Sequence, residues 1–245
     1  MTPGPATRTA AARAVLLLAS ACATVDPTAR PLNPADPWEA WNRKVHAFND
    51  VVDKAVLEPV ARTYRDWVPE LVRTGVGNVF GNIGDVWSTA NHFLQGKVGT
   101  GFEMGMRVLT NTIFGLGGLL DPATEMKLPR RSEDFGQTLG AWGLGPGPYL
   151  VLPFLGPSSL RDTAGMPLDR YAGSTSRFID ANLYALTTLQ LVQVRAELLA
   201  TTKLVGDVSL DAYSFVRDAY LARRLDQVFD GSPPLEKFED DAADV

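Results

Sequence analysis

The chain has 245 residues, 45% hydrophobic and 21% charged, a size that suits one domain with a sizeable core. Its formal charge of -5 argues against a basic nucleic-acid-binding surface, and its single cysteine excludes an intramolecular disulfide. Only His46 and His92 are present, neither within H-E-x-x-H, so no metal site is expected.

At the N-terminus, Arg8 and Arg13 precede the apolar run 14–19, which is followed by Ser20, Ala21 and Cys22. A basic start, a short apolar stretch and small residues before a cleavage point form a secretory signal. A run this short cannot span a bilayer, which needs roughly 20 residues. Residues 1–21 are therefore expected to be removed, taking the formal charge from -5 to -7. The lone cysteine behind Ala19-Ser20-Ala21 resembles the lipobox of bacterial lipoproteins, although Leu18 sits one place earlier than is usual there. That resemblance makes Cys22 the lipid-attachment residue. Ala23, in place of an inner-membrane aspartate, implies the outer membrane, with the anchor in its periplasmic leaflet. Residues 22–35, rich in Pro, Thr and Ala, read as a tether.

The folded domain is expected over 36–230. Asp36, Pro37 and Glu39 supply an N-cap, an N1 proline and an N3 acid, and Trp38, Trp41, Val45, Phe48 and Val52 form one apolar stripe at helical spacing. Pro59 is expected to interrupt this helix, with Val60, Tyr64 and Trp67 on a further short helical face. Helices are predicted at 71–80, 85–95 with Gly96 as a stop, 102–114, 176–204 and 209–228. No set of period-two segments supports a β-barrel or a doubly wound sheet. The tail, 231–245, is acidic and expected to be disordered.

Two segments are unusual. Gly75, Gly77, Gly81 and Gly84 interrupt one apolar stretch, and a helical glycine costs roughly 1 kcal/mol against alanine. Close helix contact or a break into loops near Asn82 would each account for them. Segment 135–160 carries no charge and is punctuated by glycines and prolines, so it cannot be a membrane-spanning helix. Tyr149, Leu150, Val151, Leu152, Phe154 and Leu155 suit an apolar hairpin beside a lipid-accessible opening, the alternative being a buried core loop.

Several ordered blocks carry a family resemblance: DPWEAWNR from Asp36, Phe48-Asn49, YRDWVP from Tyr64, NVFGN from Asn78, NHFLQG from Asn91, RVLTNTIFGLGG from Arg107, DFGQTLG from Asp134 and GPGPYLVLPFLGPSSLRD from Gly145. They are similar to the MlaA (VacJ) lipoproteins and span Asp36 to about Tyr171, with a looser match beyond. The resemblance implies an all-α ring of amphipathic helices lying in one membrane leaflet around a central channel, with the Gly/Pro-rich hairpin beside it. It implies removal of mislocalised phospholipid from the outer leaflet, delivery to a soluble periplasmic lipid carrier, and association with a trimeric porin. Candidate channel or lipid-contact residues are the six hairpin residues above plus Asn82, Asn91 and Asn111, uncharged polar groups in apolar segments whose alternative role is capping or core hydrogen bonding. No cofactor is expected, since no G-x-x-x-x-G-K-[ST] loop occurs. No enzyme is expected either, since no G-x-S-x-G elbow occurs. The competing function is a porin-associated structural lipoprotein that moves no lipid.

Overall fold

The computed structural model describes residues 33–175, 178–179 and 182–234. Cys22, the signal segment, most of the tether and the acidic tail from residue 235 lie outside the described residues. The chain divides into one unit ending at Pro37 and a second running from Trp38.

The second unit is helical apart from one hairpin. Helix α1 (Glu39–Val52) passes through a π-helical turn (Asp53–Leu57) into α2 (Glu58–Trp67), followed by α3 (Glu70–Leu94), α4 (Val98–Ile113) and a single-turn α5 (Pro122–Glu125). Helix α6 (Phe135–Ala141) leads to strands β1 (Tyr149–Leu152) and β2 (Gly156–Ser159), then α7 (Leu160–Ala172), α8 (Leu183–Val208) and α9 (Ala212–Val228). Helix α3 packs on α4 and α8, α2 on α8, α6 on α7 and α9, and β1 on α1.

Several boundaries differ from the sequence expectation. Helix α1 starts at Glu39 with Trp38, not Asp36, at its N-cap position, since Trp41 and Asn42 both donate their N–H to Trp38 O. Pro59 does not break the chain's helical path. It lies in the first turn of α2, where no N–H is required, and the wider π turn ahead of it takes up the change in bonding. Helix α8 begins at Leu183 rather than 176, and α9 at Ala212, where the Asp211 side chain accepts the Tyr213 N–H. Helices α6 and α7 were not expected. Asp134 caps the first by accepting the Gln137 N–H at 2.8 Å, and Ser159 caps the second by accepting the Asp162 N–H at 3.1 Å.

The glycine-rich stretch forms one unbroken helix, α3, so the loop alternative near Asn82 does not hold. A side chain at Gly77 would meet Gln193 and Glu197 of α8 at 3.1 and 3.2 Å, and one at Gly81 would overlap the Arg130 guanidinium at 2.5 Å. At both positions the space a Cβ would take is occupied by the polar ends of long side chains.

The polarity of the fold is reversed relative to a water-soluble bundle. Among the described residues, 21 polar or charged side chains are buried against 11 apolar ones. On α4, Met104, Arg107 and Asn111 point inward while Phe102, Met106, Leu109 and Ile113 form the exposed stripe. On α1, Asn42 and Val45 are buried while Trp38, Trp41 and Phe48 from the predicted stripe are exposed. Each large apolar side chain left in water forgoes roughly 1.5–3 kcal/mol of burial. Such continuous apolar faces therefore suit an apolar medium. No described helix is long and apolar enough to cross a membrane.

Candidate lipid-handling site

The hairpin is built on two asparagines of α1. In the antiparallel ladder, Tyr149 pairs with Ser159 and Leu152 with Gly156, which leaves part of the outer edge of β1 without a strand partner. Asn42 takes that place. Its Nδ2 donates to Tyr149 O at 3.0 Å, and its Oδ1 accepts the Val151 N–H at 2.9 Å. Asn49, two helical turns on, repeats the pattern with Leu152 O at 2.9 Å and the Phe154 N–H at 2.8 Å. A side-chain amide carries the donor and acceptor of a peptide group, so each asparagine acts as one residue of a third strand.

The hairpin has two unlike faces. Tyr149 and Val151 are fully buried with Val45 and Tyr213, and Tyr220 and Leu221 of α9 pack against them. Leu150 and Leu152 point the other way and are half-buried, and at the tip Phe154 and Leu155 are exposed. Phe154 has φ +63°, a left-handed backbone that costs a non-glycine residue roughly 1–2 kcal/mol. Its N–H bond to Asn49 and the edge contact of its ring with Phe48 at 5.2 Å hold it there.

Asn49→Ala is expected to speed amide exchange at Phe154 while leaving the buried end of the hairpin protected. Asn42→Ala, which strands the buried Val151 N–H and Tyr149 carbonyl, is expected to destabilise the whole domain by about 1–3 kcal/mol. Hydrogen exchange resolved by residue, together with thermal melts in micelles, separates the two. Equal protection at Phe154 in both proteins would rule out the Asn49 clasp.

The three asparagines nominated with the hairpin lie elsewhere. Asn91 is buried, donating to Trp87 O at 3.0 Å and accepting from Thr138 Oγ1 at 2.7 Å. Asn111 is buried, donating to Asp121 Oδ1 at 2.9 Å and accepting the Ala123 N–H at 3.0 Å. Asn82 donates to Thr112 Oγ1 at 3.0 Å, while its buried Oδ1 has no protein partner. None of the three contacts the hairpin through these bonds.

Two polar networks stiffen the interior. Arg107, 1% exposed, donates to Asp85, Asp121, Thr124 and the Leu128 carbonyl, tying α4 to α3 and α5. Burial pushes the Asp85 carboxyl up despite the facing Arg130 and Arg107. Around α9, Arg224 reaches both Asp134 and Asp162, and Asp162 also accepts from Tyr220 and Arg161. Burial alone would raise the Asp162 pKa, but the bonds and charge of Arg224, with Tyr220 and Arg161, hold it down at about 2. An open cleft of about 290 Å³ lies beside this network, lined by Ser132, Glu133, Asp134 and Gln137 on one side and Tyr220, Arg223, Arg224 and Gln227 on the other. A second, apolar one of about 400 Å³ is bounded by Pro59, Val60, Tyr64 and Val192. No nominated residue lines either cavity. His92 has both ring nitrogens engaged, Nε2 with Arg131 O and Nδ1 with Thr100 Oγ1, each at 3.0 Å. Among the described residues there is no cluster of metal-ligating side chains.

The family model for the MlaA lipoprotein matches residues 34–227. This chain belongs to the MlaA lipoprotein family. It is 36% identical over 222 residues to the intermembrane phospholipid transport system lipoprotein MlaA of Escherichia coli strain K12, covering 86% of this chain and 88% of that relative. The protein of the same description from Haemophilus influenzae is 31% identical over 86% of each chain. A solved structure described as the structural basis for maintenance of bacterial outer membrane lipid asymmetry superimposes with a TM-score of 0.69 at 35% identity, covering 80% of this chain and 99% of that one.

Within this MlaA-family chain, Asn42 and Asn49 are the residues that sequence reasoning passed over. Both stood inside blocks that carried the resemblance, but their role needs a strand edge more than 100 residues away. One local signal was available: the two amides share a face of α1 at a spacing of seven.

Proposed function

We propose that this protein removes mislocalised phospholipid from the outer leaflet of the outer membrane and passes it to a soluble periplasmic carrier, maintaining lipid asymmetry. The carrying observation is the reversed polarity of a chain belonging to the MlaA family: polar groups are buried between helices and apolar residues face outward. A phospholipid needs a polar path for its headgroup and an apolar one for its chains, each CH₂ withheld from water contributing about 0.8 kcal/mol. In this reading the helices form a ring in one leaflet around an amphipathic channel beside a trimeric porin. Cys22 carries the acyl anchor, and no chemical step occurs on the lipid. The hairpin borders the route through Leu150, Leu152, Phe154 and Leu155, while Tyr149 and Val151 fix it to the body. Asn82, Asn91 and Asn111 contribute as polar groups of the interior.

Leu152→Asp tests the reading. Leu152 is half-buried on the face of the hairpin away from Tyr149 and Val151, so a carboxylate there should leave the fold intact and obstruct passage of acyl chains. Near-normal abundance and helicity with phospholipid accumulating in the outer leaflet is the expected result. A degraded mutant would return the hairpin to a core-loop role. A folded mutant with normal surface lipid would favour a structural partner of the porin over a lipid transporter.

A further inference from the structure

The connection between α5 and α6 has no regular structure, yet its backbone is firmly tethered. Leu128 O accepts from Arg107 at 2.6 Å, and Arg131 O accepts from Ser88 Oγ at 2.9 Å and from His92 Nε2 at 3.0 Å. Ser88 Oγ in turn accepts the Glu133 N–H at 2.7 Å. With the main chain bound to buried groups of α3 and α4, the segment displays Lys127 and Arg131 outward, while the partly exposed Arg130 folds back onto α3.

These cations are incompletely neutralised. Arg130 bonds Asp85 only through Nε, at 3.0 Å, and lays its two terminal nitrogens over Gly81. Asp85 is already shared with the buried Arg107. Arg131 comes no closer to an acid than 3.9 Å, to a half-exposed Glu103. Lys127 has no ion-pair partner among the described residues. Within 114–131 the three cations stand against Asp121 and Glu125, and Asp121 is already bound to the buried Arg107, in a chain whose formal charge is -5.

The neighbouring surface is apolar. Phe114, Leu116, Leu119, Leu120 and Met126 are exposed. Leu119 O accepts from Asn78 at 3.1 Å and Gly118 lies against Asn82, whereas Arg130 lies against Gly81 and Asp85. The apolar loop and the basic segment therefore sit side by side on α3, within about one helical turn or roughly 5.4 Å.

We propose that residues 114–131 form a membrane-surface element, with the apolar side chains entering the acyl region and Lys127, Arg130 and Arg131 engaging the phosphates of an anionic phospholipid surface. Guanidinium and ammonium groups match phosphate oxygens, and apolar residues next to basic ones are the arrangement of an interfacial anchor. The element would fix the depth of the fold in the leaflet, and it stands whether or not the protein moves lipid.

The test uses the full chain carrying Cys22→Ala, so that acyl chains do not mask reversible partition. Binding is measured to vesicles of phosphatidylcholine alone and of phosphatidylcholine with about one quarter phosphatidylglycerol, the anionic share supplying the surface charge. The parent is expected to prefer the anionic vesicles. The combined variant Lys127→Gln, Arg130→Gln, Arg131→Gln should lose ~tenfold or more of that preference, while binding to neutral vesicles and circular dichroism stay unchanged. The charge-matched variant Lys44→Gln, Arg170→Gln, Lys203→Gln should keep it. If the triple variant misfolds, the exposed single changes Lys127→Gln and Arg131→Gln should each give a several-fold loss. A parent without anionic preference, a full preference in the triple or single variants, or equal losses in both triple variants would overturn the proposal. The first of these outcomes would point to an acidic protein as the partner.

Discussion

Arg107→Met is expected to lower thermal stability in micelles on the order of 10 °C, from a loss of about 3–5 kcal/mol. Arg107 is 1% exposed, and its guanidinium supplies Asp85, Asp121, Thr124 and the Leu128 carbonyl at once. Methionine matches the stem but leaves one carboxylate buried with only Arg130 and another with only Asn111 and Thr124. Removing one side of a buried pair is expensive because the other remains desolvated. Arg107→Lys should fall between, since a single ammonium cannot serve four acceptors spread over three elements. Melting of the purified variants followed at a helix signal measures this. A shift under about 2 °C for Arg107→Met would mean that the interior relaxes or admits water at little cost.

The second large effect is expected on acidification. Asp162 accepts from Arg224, Arg161 and Tyr220, and its pKa is held at about 2, below the usual 3.8. A carboxylate with a depressed folded pKa contributes stability that is complete above its unfolded value and is lost as pH falls through the folded one. The window is therefore pH 4 down to about 2, and the loss from this group is about 2 kcal/mol. Asp134, also held below its usual value, adds to the slope in the same direction; its burial is outweighed by Arg224 and Gln137. Asp162→Asn should cost about 3 kcal/mol at pH 7, where Arg224 and Arg161 lose a charged partner. The variant should also show a shallower decline between pH 4 and 2. Denaturant unfolding of both proteins across that range is the measurement. Parallel slopes would mean that other carboxylates carry the acid sensitivity.

Periodicity and capping made much of the helical framework legible. The α1 stripe, the α4 span and the C-terminal helices stand out at spacings of three and four, and the charge-free Gly/Pro segment marked the hairpin by composition. The capping pairs Asp134 with Gln137 and Ser159 with Asp162 were equally readable, but they sat next to a segment whose glycines suggested irregular backbone. Glycine in α3 was ambiguous for a physical reason. Its cost in a helix is local, whereas the groups that pack against it, such as Arg130 at Gly81 or Gln193 at Gly77, come from residues far along the chain.

By itself, the sequence determined the helical class, the positions of most helices, the apolar character of the hairpin and the blocks that tie the chain to the MlaA family. Only the tertiary structure decided which way the faces point. A stripe at helical spacing shows that one face differs from the other, but not whether the apolar side meets a core or an outside medium; on α4 it faces outward, and on α1 its aromatic residues do while Val45 joins the core. Charges read singly along a chain suggest solvation, so the pairing of Asp85 with Arg107 and of Asp134 and Asp162 with Arg224 emerged only when folding brought separated residues into one low-dielectric interior. Asn42 and Asn49 follow the same logic: an amide becomes part of a strand edge only where a backbone distant in sequence presents its unpaired donors and acceptors.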